Sequence, residues 1–328
     1  MSYAFRRELM AAIGERLSSH VICYITGDRE NVRTRIAPDA LAVIHRHLRK
    51  LGRVPRIDLF LYTRGGDLLT AWRLVHLIRE FASQFGVVVP FRAYSAGTLI
   101  CLGADEIIMG TMGELGPVDP RVVNPFNPPD PNDPAARVPV SVEDVYSYLL
   151  LARELAGLES EEYLGKAFLL LAERIHPLAL GNVHRNYVLV RSLARRLLAL
   201  RRQALDKETA DRIVANLTEK LYTHDHMIPR REAAEEIGLP ITFACDKLDE
   251  VMWALYENYA DDLELREPFN PLLLYQKDPT AFEVPGGLIE SLVGQDAFVF
   301  TGTIERRTAP TPGPIDVNIL SQGWRRLL

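Results

Sequence analysis

A serine and a pair of glycines are the residues of this chain best suited to chemistry. Gly65 and Gly66 directly follow a predicted buried strand, and Ser95 lies between the next apolar strand and a helix. A Gly-Gly turn can adopt positive φ and face a backbone N–H outward, and the helix after it adds its positive N-terminal end. A developing oxyanion would be stabilised there. A serine hydroxyl beside such a turn is the physical minimum for acyl transfer.

Both features also have simpler interpretations, because glycine is the default turn residue and a serine before a helix is usually an N-cap. Two observations favour a nucleophile. Ala96 and Gly97 are small and leave the serine corner open to a substrate carbonyl. The glycine turn also lies one strand–helix unit earlier, so both corners are predicted at the carboxyl edge of one sheet, where open α/β sheets bind ligands. The Ala96 N–H and an N–H of Gly65 or Gly66 would hold the oxyanion, and each such donor typically lowers the barrier by about 3–4 kcal/mol.

Alternating strands and helices are predicted around these corners. Apolar strands are predicted over residues 20–26, 56–62, 87–93 and 106–109, and periodic helices over residues 37–51, 68–85 and 96–104. Strands that alternate with helices at this spacing are typical of βαβ units. The predicted fold class is therefore α/β with a mostly parallel sheet.

The rest of the chain divides by composition. We predict an N-terminal helix over residues 1–18, a catalytic domain over 19–240, and a C-terminal extension over 241–328 with a helix and a strand pair at 297–305 and 314–320. Residues 117–140 are rich in proline, which lacks the N–H that helices and central strands need, so they are predicted as an extended loop or flap. Residues 178–205 are predicted as one long helix, whose apolar side suits either subunit contacts or an internal core.

Composition excludes several classes of protein. The 328 residues are 48% hydrophobic and carry a net charge of -5 with both signs interspersed, which is unlike a nucleic-acid footprint. The longest apolar runs, such as residues 167–172, are too short to cross a bilayer. The arginine-containing start is interrupted by acidic residues and is interpreted as an amphipathic surface helix rather than a signal peptide. Cys23, Cys101 and Cys245 are odd in number and widely spaced, which favours free thiols in a cytoplasmic protein.

Two segments carry a family resemblance. RGGDLLTAWRLVHLIREF at residues 64–81 and AYSAGTLICLGADEIIMGTMGELGPVDP at residues 93–120 resemble the Clp-protease/crotonase superfamily. Within it they are most similar to the signal-peptide-peptidase-A-like serine peptidases, and among these to the serine dehydrogenase proteinases. HPLALGNVHR from His176 and LTEKLYTHDHMIPRREAAEEIGLP from Leu217 extend the resemblance.

The resemblance implies a fold, an activity and an assembly. The fold is of Clp/crotonase-like repeated ββα units with a mostly parallel sheet and helical additions. The activity is that of a serine endopeptidase acting on peptide or protein substrates, without a cofactor, in a homo-oligomer. The word dehydrogenase in the subgroup name refers to a substrate, and no GxGxxG follows a strand here, so no nicotinamide cofactor is expected.

The resemblance also implies roles for single residues. Ser95 is the expected nucleophile, with Gly65, Gly66 and Ala96 around the oxyanion. Clp-type subunits place a histidine shortly after the serine helix, but GELGPVDP at residues 113–120 contains none. A Ser-His-Asp triad in the Clp arrangement is therefore excluded.

The general base has two main candidates. Signal-peptide-peptidase-A-like enzymes use a downstream lysine, and Lys166 is the only lysine between Lys50 and Lys207. It would serve if its amine were desolvated, although a solvated helix lysine is the simpler interpretation. His176 stands at a predicted helix break, and an imidazole needs no adjustment to act near pH 7, although a capping role is the simpler one. Asp119 could orient a base or form a turn.

Other functions remain open. A crotonase-like acyl-CoA or thioester enzyme would use the same oxyanion turns, but these enzymes usually place a carboxylic acid where Ser95 stands. A catalytically inactive peptidase-fold scaffold is favoured by the missing histidine. His224 and His226 flank Asp225, but zinc sites need three or four converging ligands, so no metal site is predicted.

Overall fold

An eight-stranded sheet organises the chain in the computed structural model. The structure describes residues 3–118, 124–131, 133, 135–140, 142–158, 160–219, 226–275, 279–306 and 315–327. The strands are β1 His20–Thr26, β2 Val54–Tyr62, β3 Ala82–Val89, β4 Arg92–Ala93, β5 Glu106–Met109, β6 Glu114–Leu115, β7 Ile228–Pro229, β8 Ile241–Phe243, β9 Thr280–Ser291, β10 Gly294–Arg306 and β11 Ile315–Arg326. The helices are α1 Tyr3–Leu17, α2 Asp39–Leu51, α3 Leu68–Arg79, α4 Ala96–Leu102, α5 Val142–Leu150, α6 Glu161–Arg174, α7 Pro177–Leu198, α8 Lys207–Glu219, α9 Arg230–Glu235 and α10 Asp246–Asp262.

The large sheet has the order β11-β10-β9-β1-β2-β3-β5-β8. Strands β1, β2, β3, β5 and β8 are parallel to one another, and β9, β10 and β11 follow as an antiparallel meander beside β1. A small second sheet has the order β4-β6-β7. The predicted fold class, α/β with a mostly parallel sheet, is confirmed.

Two hydrophobic layers cover the large sheet, and β2 shows why. Leu59 and Leu61 belong to the cluster formed with α2, α3, α4, α7 and α8, whereas Phe60 and Tyr62 belong to the cluster formed with α1 and α10. Successive side chains of a strand point to opposite faces, so a strand buried on both sides is apolar throughout. Helices on both faces leave the strand ends as the accessible edge of the parallel part.

Two predicted boundaries in the N-terminal half are wrong. The helix predicted over residues 68–85 ends at Arg79, because the sheet takes the chain from Ala82, which pairs with Val54 of β2. The strand predicted over residues 87–93 divides near Pro90, since proline cannot donate to a ladder. Its second part is β4, which lies in the small sheet.

The N-terminal helix has one exposed and one buried face, and the buried face includes a charged residue. Arg6 is only 1% exposed, and its guanidinium forms an ion pair with Glu290 and lies 4.9 Å from the ring centroid of Tyr259. Met10 and Ile13 are buried against α10. The helix therefore carries a buried charge that is compensated by the C-terminal third of the chain.

The C-terminal region holds one strand more than the sequence indicated. The predicted strand pair corresponds to β10 and β11, but β9 was not predicted because its centre reads Pro-Gly-Gly, a turn signal. In the structure these glycines permit close contact: a Cβ on Gly286 would lie 2.4 Å from the Phe300 ring. β9 pairs with β1, so the extension completes the same sheet.

The helices α5 and α6 and the first half of α7 form what we call the helical arm, with a π-helical turn over Leu151–Leu155 between α5 and α6. The helix predicted over residues 178–205 is α7, which ends at Leu198. Its apolar side is buried within the chain, at Val183, Val190 and Leu197. The proline-rich segment forms a bridge between Pro129 and Arg137, and part of it lies outside the described residues.

Candidate active site

The glycine turn leaves β2 in a conformation that favours glycine. Gly65 has φ 110° and Gly66 has φ 151°. Two hydrogen bonds hold the turn against the segment before α2: the Ile36 N–H donates to the Gly65 carbonyl at 2.9 Å, and the Asp67 N–H donates to the Ile36 carbonyl at 2.8 Å. The Asp67 carboxylate then accepts the Thr70 N–H at 2.6 Å and caps α3. The turn is thus fixed on both sides.

The serine corner is strained. Ser95 has φ 52° and ψ -110°, a positive-φ conformation that costs a non-glycine residue about 1–3 kcal/mol. Its side chain makes no capping hydrogen bond to α4, so the N-cap interpretation is not realised. The residue is half-buried, whereas every residue of α4 is buried. Strain of this kind persists only where the surroundings determine the backbone, and it is concentrated at functional sites.

The two corners are in contact. A Cβ built on Gly65 would lie 2.9 Å from the Ser95 Cβ and 3.4 Å from the Ala96 nitrogen. Thr63 connects the two strands, because its N–H donates to the Arg92 carbonyl at 2.9 Å and its carbonyl accepts the Tyr94 N–H at 3.1 Å. Ser95 and the glycine turn therefore lie together beyond the carboxyl end of β2, where Thr63 bridges to Ala93 of β4 in the small sheet.

The Thr63 side chain distinguishes the two glycine amides. Its hydroxyl oxygen accepts the Gly65 N–H at 3.0 Å and the hydroxyl of Thr26 at 2.7 Å, and both threonines are buried. The Gly65 N–H is thus engaged. Within the described part of the chain, neither the Gly66 N–H nor the Ala96 N–H donates to a protein group. Gly66 and Ala96 are the amides that remain for an anion.

A second buried threonine fixes the serine helix. The Thr98 hydroxyl lies 2.9 Å from the Ala93 carbonyl and 2.8 Å from the Gly116 carbonyl. It also accepts the Gly116 N–H at 3.2 Å. Sequence reasoning missed both threonines. The position of Thr63, two residues before a glycine, is a Ser/Thr-turn signal that could have identified it.

The structure does not bring the candidate bases into contact with Ser95. Lys166 lies on α6 with its side chain 62% exposed, and its amine pairs with Glu162 at 2.7 Å. This is the solvated helix lysine of the simpler interpretation. No hydrogen bond in the described residues connects it to the serine.

His176 caps α7. Its Nδ1 accepts the Leu178 N–H at 3.1 Å, and its ring stacks on Phe126 with centroids 4.8 Å apart. The Nδ1 of His176 is thus engaged in the helix cap. Asp119, His224 and Asp225 lie outside the described residues.

Buried phenols near the site are unsuitable as bases. Burial raises the pKa of Tyr62, whose hydroxyl donates to Asp28 at 2.8 Å. Burial also raises the pKa of Tyr94, whose hydroxyl bonds to Glu114. Both remain protonated near neutral pH, so they can orient carboxylates but cannot take a proton from a serine.

A serine, a histidine and an aspartate meet elsewhere in the fold. His47 Nδ1 lies 2.7 Å from Ser291 Oγ, and His47 Nε2 lies 3.0 Å from Asp296 Oδ2. Ser291 is 0% exposed and His47 is 2% exposed, so no substrate can reach this serine. The cluster joins α2 to the β9–β10 hairpin and is structural.

The described residues contain neither a metal-ligand cluster nor a membrane-crossing helix. No three histidine, cysteine, aspartate or glutamate side chains converge as a possible metal site. His226 pairs instead with Glu232 at 2.6 Å. None of the described helices combines the length and the apolar character that a bilayer span requires.

Part of the chain is similar to a known protein family. The family of ClpP-like SDH-type serine proteinases matches residues 4–131, which contain both corners. Two uncharacterized proteins of Methanocaldococcus jannaschii are 40% identical over 65 residues and 42% identical over 53 residues. These matches cover 19% and 16% of this chain, and 23% and 18% of the relatives, so the chain matches less than a quarter of either relative's length.

One solved structure is similar at a low level. It is a variant of the 1510-N membrane-bound stomatin-specific protease, with 16% identity, a TM-score of 0.38, and coverage of 65% of this chain and 76% of that one. That likeness carries no argument about activity. The family match is informative: the ClpP-like SDH-type serine proteinases are similar to residues 4–131, which agrees with the resemblance inferred from the sequence.

Proposed function

We propose that this chain is a serine peptidase that hydrolyses peptide bonds through an acyl-enzyme on Ser95. The observation that carries the proposal is the contact between the two corners. A strained, half-buried serine without a capping hydrogen bond lies against a glycine turn, and two amides there have no protein acceptor in the described residues. The family match over the same residues supports this chemistry.

The proposed reaction assigns one role to each group. The Ser95 Oγ attacks the scissile carbonyl, and the new C–O bond places negative charge on the carbonyl oxygen. The N–H groups of Gly66 and Ala96 would stabilise that charge, as backbone donors do in acyl transfer. Collapse of the intermediate breaks the C–N bond and releases the amine, which takes the proton that the base removed from Ser95. Water then attacks the ester and gives a proton to the base, and cleavage of the ester C–O bond releases the carboxylic acid while the base returns that proton to Ser95.

The general base is proposed as His176 or Lys166. In this structure, the His176 Nδ1 is engaged in a helix cap and the Lys166 amine is paired with Glu162. Either residue would have to leave these partners, with a movement of the helical arm, before it could accept the serine proton. Substitution of the true base would lower both hydrolysis and active-site labelling.

An inactive scaffold is the second candidate. The observation that favours it is the absence, among the described contacts, of any base that touches Ser95. A crotonase-like thioester enzyme gains no support from the structure, because the serine corner carries a hydroxyl where those enzymes place a carboxyl group.

Hydrolysis of an unfolded protein and of fluorogenic peptides tests the proposal. The wild-type chain is expected to hydrolyse them, and Ser95→Ala is expected to lose the activity while its thermal midpoint is retained. Ser192→Ala, at an exposed position on α7, is the matched control and is expected to behave as wild type. Equal hydrolysis by Ser95→Ala and wild type would refute the mechanism.

A further inference from the structure

The outer edge of β11 is long and exposed. This strand ends the eight-stranded order, and within the described residues it pairs with β10 alone. All residues from 317 to 322 are exposed, on both faces of the strand. Among them, Val317 is 39% exposed, Ile319 is 51% exposed and Leu320 is 71% exposed. Between residues 317 and 322, the outer edge of β11 faces no other strand of the described structure and lies beside exposed apolar side chains.

The two edges of the sheet differ in how they are protected. The opposite edge, β8, has only 3 residues, and a very short edge strand resists pairing with another chain. β11 has 12 residues. Between Val317 and Trp324 it has no charged residue and no proline, which are the usual protections of an exposed edge. An edge of this kind is a template for another strand.

A bulge interrupts the pairing of β11 with β10 near the middle of the strand. The pairing with β10 shifts between Thr301 and Gly302, so that Ile319 and Ser321 pair with neighbouring β10 residues while Leu320 pairs with none. Leu320 is also the most exposed apolar residue of β11. The strand therefore presents an exposed leucine at the bulge, near its middle.

The charged residues of β11 favour antiparallel over parallel pairing with the β11 strand of a second copy. Asp316 stands at the start of the strand, and Arg325 and Arg326 stand at its end. An antiparallel copy would place Asp316 opposite Arg325, whereas a parallel copy would align like charges, which is destabilising. Arg325 already contacts Glu283 at 2.8 Å, but both side chains are largely exposed and can share a third partner.

We propose that two copies of this chain pair through β11 in antiparallel orientation, about a two-fold axis beside Leu320 and Ser321. The pairing joins two eight-stranded sheets into one and leaves no β11 edge open, which is the self-complementary contact of a closed dimer. The two Leu320 side chains lie next to the axis, and the oppositely charged strand ends face each other.

Sedimentation of the full chain tests the surface. The wild type is expected as a dimer, or as a larger assembly built from dimers, at micromolar concentration. Leu320→Lys places a charge at the axis in both copies and is expected to weaken the association by more than about tenfold. Leu273→Lys is the matched control, because Leu273 is 80% exposed on a short turn at Pro271–Leu273. A monomeric wild type, or equal masses for wild type and Leu320→Lys, would overturn the proposal.

Cross-linking tests the register independently of other contacts. In a Cys245→Ser background, Cys23 and Cys101 are buried, so an added surface cysteine reacts alone. Ser321→Cys is expected to form a covalent dimer under a mild oxidant, because antiparallel neighbours have Cβ atoms about 4.5–5.5 Å apart. Asp316→Cys lies far from the axis and is expected to form none. Cross-linking that is absent in Ser321→Cys, or equal in both variants, contradicts an axis at this position.

Discussion

Replacing Gly65 with alanine perturbs the contact on which the candidate site depends. The new methyl group would sit 2.9 Å from the Ser95 Cβ, whereas carbon atoms in contact normally lie about 3.5–4.0 Å apart. Both carbons are attached directly to the backbone, so neither can rotate away. One of the two corners must therefore move by roughly 0.6 Å or more to recover the lower limit of normal contact.

Gly65→Ala is expected to lower both the folding stability and the catalytic rate. Gly65 has φ 110°, and a left-handed or related conformation costs an alanine about 1–3 kcal/mol of folding stability. Misplacement of reacting groups by about 1 Å lowers the rate by about 10²-fold. We expect Gly65→Ala to lower kcat/KM by about 30–100-fold, with a smaller effect on KM.

Peptide hydrolysis measures the loss of catalytic rate, and thermal unfolding measures the loss of folding stability. Gly181→Ala is the matched control, because Gly181 lies within α7 and a Cβ there meets nothing within 4 Å. It is expected to leave activity unchanged and to add up to about 1 kcal/mol of stability, since alanine favours a helix interior. A folded Gly65→Ala variant with wild-type kcat/KM would refute the proposed contact between turn and nucleophile.

Three further perturbations test other parts of the site and fold. Thr63→Val removes the acceptor of the Gly65 N–H but keeps the methyl group, so kcat should fall about 10-fold or more with little change in KM. Thr63→Ser should restore kcat. Equal kcat for wild type and both variants would contradict a positioning role for the Thr63 hydroxyl. Of His176→Ala and Lys166→Ala, the variant that lacks the base should lose both hydrolysis and fluorophosphonate labelling, and full activity in both variants would exclude both candidates. Burial lowers the pKa of His47 in the folded state despite its carboxylate partner. The unfolded chain therefore binds the proton more tightly, and the free energy of unfolding should fall as pH drops below about 6.5, toward the folded pKa. In chemical denaturation, His47→Gln should show a smaller fall in this free energy with pH than wild type. The same pH profile for both proteins would contradict a depressed pKa for His47.

The sequence predicted the position of the corners because strand, glycine turn and helix are local patterns with a fixed geometric consequence. Parallel strands place their carboxyl ends at one edge. Gly65 and Ser95 meet beyond that edge, where Thr63 after β2 bridges to Ala93 of β4 in the small sheet. The choice between the amides of Gly65 and Gly66 was not predictable from composition of the turn. It depends on the Thr63 hydroxyl, whose hydrogen bond is a matter of side-chain orientation.

Other features depended on long-range contacts. β9 reads as a turn at Pro285 and Gly286, and it is a strand because β1 and β10 pair with it on both sides. Arg6 reads as a surface residue, and it is buried because Glu290 compensates its charge from the other end of the chain. Partners so distant in sequence leave no periodic pattern around either residue.

Mapping a fluorophosphonate adduct tests the central claim most directly, because the reagent requires an activated serine rather than a particular substrate. The wild-type chain is expected to gain the mass of one adduct, located on Ser95 by peptide mass spectrometry, and Ser95→Ala is expected to gain none. An adduct on another residue, or a folded wild-type chain that gains no adduct, would contradict the assignment of Ser95 as the nucleophile.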